Sequence, residues 1–128
     1  MKGVLFVNLG SPDSSEPKDV KSYLEEFLMD ERVIDVPKWL RTFLVKGIIL
    51  NTRPRRSAKA YKKIWWDEGS PLIVLSERLQ AKVQQNTSVP IALAMRYGKP
   101  SIATGLAELH SKGVDEVLLV PLYPQHSA

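Results

Sequence analysis

Apolar positions along the chain follow two rhythms. Three short runs carry no polar alternation: Val4-Leu5-Phe6-Val7 within residues 2–8, Ile91-Ala92-Leu93-Ala94-Met95, and Val117-Leu118-Leu119-Val120-Pro121-Leu122-Tyr123. Unbroken runs of this length suit strands buried on both faces of a parallel sheet. Between them, apolar residues recur at helical spacing. Val20, Tyr23, Leu24, Phe27 and Leu28 form one stripe, and Trp39, Leu40, Phe43, Leu44 and Ile48 a second. Ala58, Tyr61, Ile64 and Trp65 mark a third, Leu72, Leu75, Leu79 and Val83 a fourth, and Ile102, Leu106 and Leu109 a fifth. Each stripe predicts a helix with one apolar face, and those of the fourth and fifth are expected to turn inward.

Punctuation sets the boundaries. Asp13-Ser14-Ser15-Glu16-Pro17 offers capping side chains and a proline for the first turn of the first helix. Met29-Asp30-Glu31-Arg32 ends that helix, and Val33–Val36 reads as an extended link. Pro37 opens the second helix, which Gly47 and Asn51-Thr52 are expected to stop; the third then covers 53–66. Ser70-Pro71 starts the fourth, to about Asn86, and Pro100-Ser101 caps a fifth over 102–112 with Gly113 as its stop. Strands alternating with helices give an α/β fold, a parallel sheet flanked by helices. The first strand breaks sharply at Leu9-Gly10-Ser11-Pro12, and ligands of open α/β sheets bind at such carboxyl edges. Arg96-Tyr97-Gly98 and Tyr123-Pro124-Gln125-His126 follow the other two strands, so three polar and aromatic strand ends are expected on one edge.

Composition narrows the chemistry. With 128 residues and 44% hydrophobic content, one domain or part of one is expected. No cysteine is present, which excludes disulfides, thiolate ligands and cysteine nucleophiles. No apolar run approaches the ~20 residues of a membrane span, and a cytoplasmic protein is the default expectation. The net charge of +4 is unevenly placed. Lys38, Arg41, Lys46, Arg53, Arg55, Arg56, Lys59, Lys62 and Lys63 fall in one 26-residue stretch that has no acid. Such a stretch is either a solvated helical face or a surface for an anion: phosphate, carboxylate, nucleic acid or lipid headgroup. Nucleic acid is the poorer match, because the cations lack interleaved aromatic stacking groups. Trp39, Leu40 and Phe43 beside Lys38, Arg41 and Lys46 suit a membrane surface, the lip of an apolar pocket, or ordinary packing on the helix's own core.

Familiar catalytic patterns are missing. The first turn has one glycine rather than G-x-G-x-x-G, and no Walker lysine pattern occurs. His110 sits at a helix end, where an imidazole serves the helix dipole. His126 lies in the loop at the candidate edge, where contact with a ligand is open. Two histidines so separated make no metal site without further ligands.

Four blocks carry a resemblance. Asn8-Leu9-Gly10-Ser11-Pro12 resembles the N-L-G-x-P segment of ferrochelatases. Arg53-x-x-Arg56-x-x-x-x-Tyr61-x-x-Ile64-Trp65 with Gly69-Ser70-Pro71-Leu72 resembles that family's R-x-x-[KR]…Y-x-x-I…G-S-P-[LI] block. Met95-Arg96-Tyr97-Gly98-x-Pro100 and Tyr123-Pro124-Gln125-His126-Ser127 resemble its R-Y-x-x-P strand end and its Y-P-Q-[YFH]-S loop. Each is modest alone; their order across nearly all 128 residues is specific.

The resemblance implies one lobe of a two-lobed chelatase fold, with residues 1–128 an incomplete amino-terminal lobe and the second lobe absent. It implies that the whole protein inserts ferrous iron, a substrate rather than a cofactor, into protoporphyrin IX to form heme. Leu9 would lie against the macrocycle and Arg53 and Arg56 near its propionate edge. Tyr61 and Ser70 would be pocket positions, Arg96 and Tyr97 the inner wall, and Tyr123 the loop beneath the ring. Arg96 is the strongest of these, since a buried strand does not end in arginine without a partner. Tyr61 has ordinary helix packing, and Ser70 simple N-capping, as its alternative. Trp39, Leu40 and Phe43 would belong to a mouth segment that contacts the membrane peripherally. The family's proton-accepting histidine and its acidic partner have no counterpart here, so no catalytic or metal residue is expected in this chain and the chain alone is expected to be inactive. Two other readings stay open: a non-catalytic anion-binding module built on 38–63, and a chelatase for another metal or for coproporphyrin.

Overall fold

The computed structural model describes residues 1–123, the side chain of Thr52 excepted. Those residues form β1 (Lys2–Asn8), α1 (Pro17–Leu28), α2 (Lys38–Thr42), a π-helical segment (Phe43–Ile49), α3 (Leu50–Ile64), α4 (Pro71–Gln84), β2 (Ile91–Met95), α5 (Ile102–Ser111) and β3 (Glu116–Pro121). They divide into two compact units: residues 1–10 with the chain from Leu72 onward, and residues 11–71.

The first unit holds a parallel three-stranded sheet in the order β2-β1-β3, with β1 at its centre. Side-chain alternation sorts the core onto its two faces. Leu5, Val7, Ala92 and Ala94 pack with Leu109 and Val114 around α5. Phe6, Ile91, Leu93 and Met95 pack with Leu72, Ile73 and Val83 of α4. The small residues on the α5 face let that helix approach closely. A Cβ on Gly105 would stand 2.8 Å from Leu5 Cδ1 and 3.2 Å from Ala94 Cβ.

β1 and β2 lie where the apolar runs put them, and β2 is buried at all five positions. β3 departs from the expectation of two-sided burial: Leu118 and Leu119 are 64% and 55% exposed, and Val117 is exposed too. It is an edge strand, and α5 packs over β2 and β1 instead. The inward faces of two helices also differ from the stripes. Leu75 and Leu79 on α4 and Leu106 on α5 are exposed. Beside Leu72 and Val83, the inner face of α4 carries Gln80 and Gln84, because backbone polar groups leading into β2 need partners. Gln80 Nε2 donates to Ile91 O at 2.8 Å, and Gln84 Nε2 donates to Val89 O at 2.9 Å. Gln84 Oε1 accepts from Ile91 N at 3.0 Å.

The second unit is helical, and Val20, Val45, Leu50 and Ala58 are its buried apolar residues. The expected break at Gly47 and Asn51-Thr52 does not occur: the chain is helical without interruption from Lys38 to Ile64. A π-helical segment replaces the break. Widened turns leave carbonyls poorly served, and Asn51 Nδ2 donates to Gly47 O at 3.0 Å and Lys46 O at 3.4 Å. Pro54 follows inside α3, where it has no N–H to give to the residue four back. Val33–Val36, expected to be extended, instead begins in a turn in which Val33 N and Ile34 N donate to Asp30 O. Arg41, expected to flank the second helix's apolar face, is buried. Its Nη1 donates to Val36 O at 3.2 Å, while Nε has no partner among the described residues.

Candidate functional site

Parallel pairing continues past the strand ends and sets four candidate residues side by side. Arg96 N donates to Asn8 O, Tyr97 N to Leu9 O and Leu122 N to Val7 O, each at 2.8 Å. Leu9, Arg96-Tyr97 and Leu122-Tyr123 therefore share the carboxyl edge of the sheet. Tyr97 is buried, while Leu9, Arg96 and Tyr123 are half-buried. The Arg96 guanidinium carbon lies 4.9 Å from the centre of the Tyr97 ring, a cation–π arrangement that holds the cation at the edge. Tyr123 packs against the α5-side core. The loop residues Pro124, Gln125 and His126 lie outside the described residues.

The turn after β1 is what brings Leu9 to that edge. Asn8 Oδ1 accepts from Leu9 N at 2.8 Å, and Asn8 Nδ2 donates to Ser76 Oγ at 3.0 Å. Ser76 Oγ in turn donates to Leu72 O at 2.7 Å. Gly10 then takes φ +122°, and its Cα faces the Tyr97 carbonyl so closely that a Cβ would stand 1.8 Å from that oxygen. Sequence reasoning did not single out Asn8 or Ser76. The signal for Asn8 was a polar residue closing an otherwise apolar strand; nothing local marks Ser76, whose partner is 68 residues away.

The other four candidates belong to the helical unit. Arg53 and Arg56 are exposed on α3, one turn apart. Along the axis of α3, Tyr61 lies about 12 Å from Arg53 and about 7.5 Å from Arg56 at 1.5 Å per residue. It is half-buried and meets Trp65 edge to face at 6.1 Å between ring centres. Burial pushes its phenol pKa above the ordinary tyrosine value, because the phenolate would lose water. Ser70 is buried, one residue before α4 begins. Trp39 and Phe43, four residues apart, are 72% and 61% exposed, and Leu40 is half-buried.

Among the described residues no cluster of histidine, aspartate and glutamate is arranged to hold a metal ion. His110 is exposed in the last turn of α5. No helix of the described residues is long and apolar enough to cross a membrane. What the sheet edge offers chemically is a guanidinium set against the Tyr97 ring, with Leu9 and Tyr123 on the same edge: contact area for a flat apolar body and a cation for an acidic group.

Comparison with known proteins gives these features a context. A ferrochelatase from Pseudomonas syringae pv. tomato is 57% identical over 123 residues, 95% of this chain and 36% of that protein. One from Photobacterium profundum is 50% identical over 125 residues, and one from Vibrio atlanticus 47% over 126; both alignments take in 98% of this chain and 39% of the relative. The chain thus spans a little over a third of the length of these curated relatives. The ferrochelatase family model matches residues 1–128 throughout, and the chain belongs to the ferrochelatase family.

Proposed function

We propose that the full-length protein inserts ferrous iron into protoporphyrin IX to form heme, and that residues 1–128 supply part of the porphyrin-binding surface without the catalytic base. The observation that carries this reading is the common sheet edge of Leu9, Arg96, Tyr97 and Tyr123 in a chain of this family. In the proposal, Leu9 and Tyr123 give flat contact to the macrocycle, and Tyr97 holds the Arg96 guanidinium in place as part of the inner wall. Arg53 and Arg56 take propionate carboxylates from α3, where two cations a turn apart form charge-assisted bonds. Tyr61 and Ser70 act as pocket positions in the helical unit. Trp39, Leu40 and Phe43 give a peripheral contact with the cytoplasmic face of a membrane, supported by the exposure of Trp39 and Phe43 next to Lys38 and Lys46.

Metalation releases two pyrrole N–H protons, so a base must stand beside the ring centre. None of the eight proposed substrate residues is suited to that work at neutral pH: arginine stays protonated, and the raised pKa of Tyr61 keeps its phenol neutral. We therefore assign proton removal to the remainder of the protein.

The test is anaerobic metalation of protoporphyrin by the full-length protein, followed by loss of porphyrin fluorescence. Ferrous iron should be consumed and heme formed, and residues 1–128 alone should form none. Arg96→Ala in the full-length protein should lower kcat/KM by about 100-fold, the loss of one buried charged contact of ~3 kcal/mol. Failure of the full-length protein to metalate any porphyrin would overturn the reading. A preference for cobalt, or for coproporphyrin, would redirect it to a neighbouring chelatase activity.

A further inference from the structure

A groove of about 410 Å³ runs between α1 and the start of α3 in the helical unit, and none of the residues assigned to the porphyrin lines it. Its rim is cationic: Lys18 and Lys21 come from α1 and Arg55 from α3. Its floor is apolar, with buried Leu50 and Pro54; exposed Pro17 adds an apolar edge and Asn51 an amide. No carboxylate lines it.

Glu16, Asp19 and Glu25 are engaged with partners other than the rim cations. Glu16 lies 4.0 Å from Lys62 Nζ, and Glu25 lies 3.6 Å from Lys46 Nζ. Asp19 accepts the Ser14 hydroxyl at 2.6 Å. Among the described residues, Lys18, Lys21 and Arg55 enter no ion pair with a carboxylate. Three like charges around one concavity repel one another, and the low-dielectric floor strengthens their field inside it. An anion with several acceptor oxygens relieves that repulsion, and the Arg55 guanidinium can grip two of them at once. A carboxylate offers two oxygens to three cations, whereas a phosphate offers three or more.

We infer that this groove is a binding site for a phosphate-bearing anion, distinct from the porphyrin surface. Free phosphate compounds and anionic lipid headgroups share that chemistry, and the volume admits either.

Sodium pyrophosphate titrated into the full-length protein by calorimetry examines the first source. Co-sedimentation with phosphatidylglycerol vesicles, against phosphatidylcholine vesicles, examines the second. Each is run on the wild type, on Lys18→Gln/Lys21→Gln/Arg55→Gln, and on Lys59→Gln/Lys63→Gln/Lys82→Gln. The last variant removes the same charge from exposed positions outside the groove. At least one probe should bind, with affinity falling about tenfold or more, ~1.4 kcal/mol, in the groove variant only. Binding of pyrophosphate identifies a soluble ligand, and binding of acidic vesicles alone a headgroup. Equal losses in both variants would reduce the groove to diffuse basic charge and overturn the inference, as would no binding of either probe by the wild type. Iron insertion by the groove variant should remain at the wild-type rate, which separates this site from the proposed activity.

Discussion

Gly10 is the residue on which the sheet edge turns. Its φ of +122° is a region that L side chains rarely adopt, and the Tyr97 carbonyl occupies the place of a β-carbon. The obstacle is backbone, so no rotamer change relieves it. The Tyr97 N–H bond to Leu9 O sits beside it and moves with it. Gly10→Ala is expected to cost about 2–4 kcal/mol, the sum of φ strain and a forced backbone shift. A fall in the urea midpoint at constant m-value would show it; a change under about 0.5 kcal/mol would mean that the close approach is not a constraint. Tyr61 gives a prediction of opposite character, visible only with pH. Its folded pKa is raised by burial, so its stabilising contribution is whole below the unfolded tyrosine pKa of about 10 and fades as pH rises through the folded value. The stability difference between wild type and Tyr61→Phe should be flat from neutral pH to about 9 and then shrink against the wild type. A difference independent of pH would place that phenol in water.

At the scale of elements, what the sequence showed depended on what each pattern encodes. β1 and β2 were legible because two-sided burial leaves no room for polar alternation. α4 was legible as a helix, and its face was read only in part: Leu72 and Val83 pack inward, Leu75 and Leu79 do not. The Leu72-Leu75-Leu79 spacing reports helical period, but it cannot report that Gln80 and Gln84 must turn inward to serve the backbone before β2. Gly47 and Asn51-Thr52 look like helix breakers in isolation, and the widened turns of Phe43–Ile49 that replace the break are not a local preference. The site was legible in the same uneven way: strand ends point to one edge by topology, whereas the Asn8–Ser76 support depends on a contact remote in sequence. β3 was read as buried because Val117-Leu118-Leu119 is as apolar as β2; both are edge strands, and that composition does not say which of them the helices cover. An exposed apolar edge strand is a template for association. The 128-residue chain is therefore expected to self-associate with rising concentration, and Leu118→Lys to suppress this while changing stability by about 0.5 kcal/mol or less. Sedimentation velocity distinguishes the two; unchanged association would remove β3 as its cause.

Across the whole molecule, charge and flat apolar surface are partitioned between the units. The sheet unit contributes Leu9, Tyr97, Tyr123 and the Arg96 guanidinium along one sheet edge, and the helical unit carries the nine cations of residues 38–63. For the proposed porphyrin, the two sets predict separable kinetic effects. Contacts to the macrocycle act on any porphyrin, whereas Arg53 and Arg56 act only on substrates with free propionates. In the full-length protein, Arg53→Gln/Arg56→Gln should raise KM for a porphyrin dicarboxylate about 10–100-fold, the loss of charge-assisted bonds of roughly 1.5–3 kcal/mol. The same variant should use a porphyrin dimethyl ester as well as the wild type does. Raising salt from low to physiological strength should weaken the wild type on the dicarboxylate and leave the ester rate unchanged, because exposed cations are screened within ~8–10 Å. Equal losses on acid and ester would move these arginines from propionate recognition to the structure of α3, and the proposed division of labour between the units would fall with them.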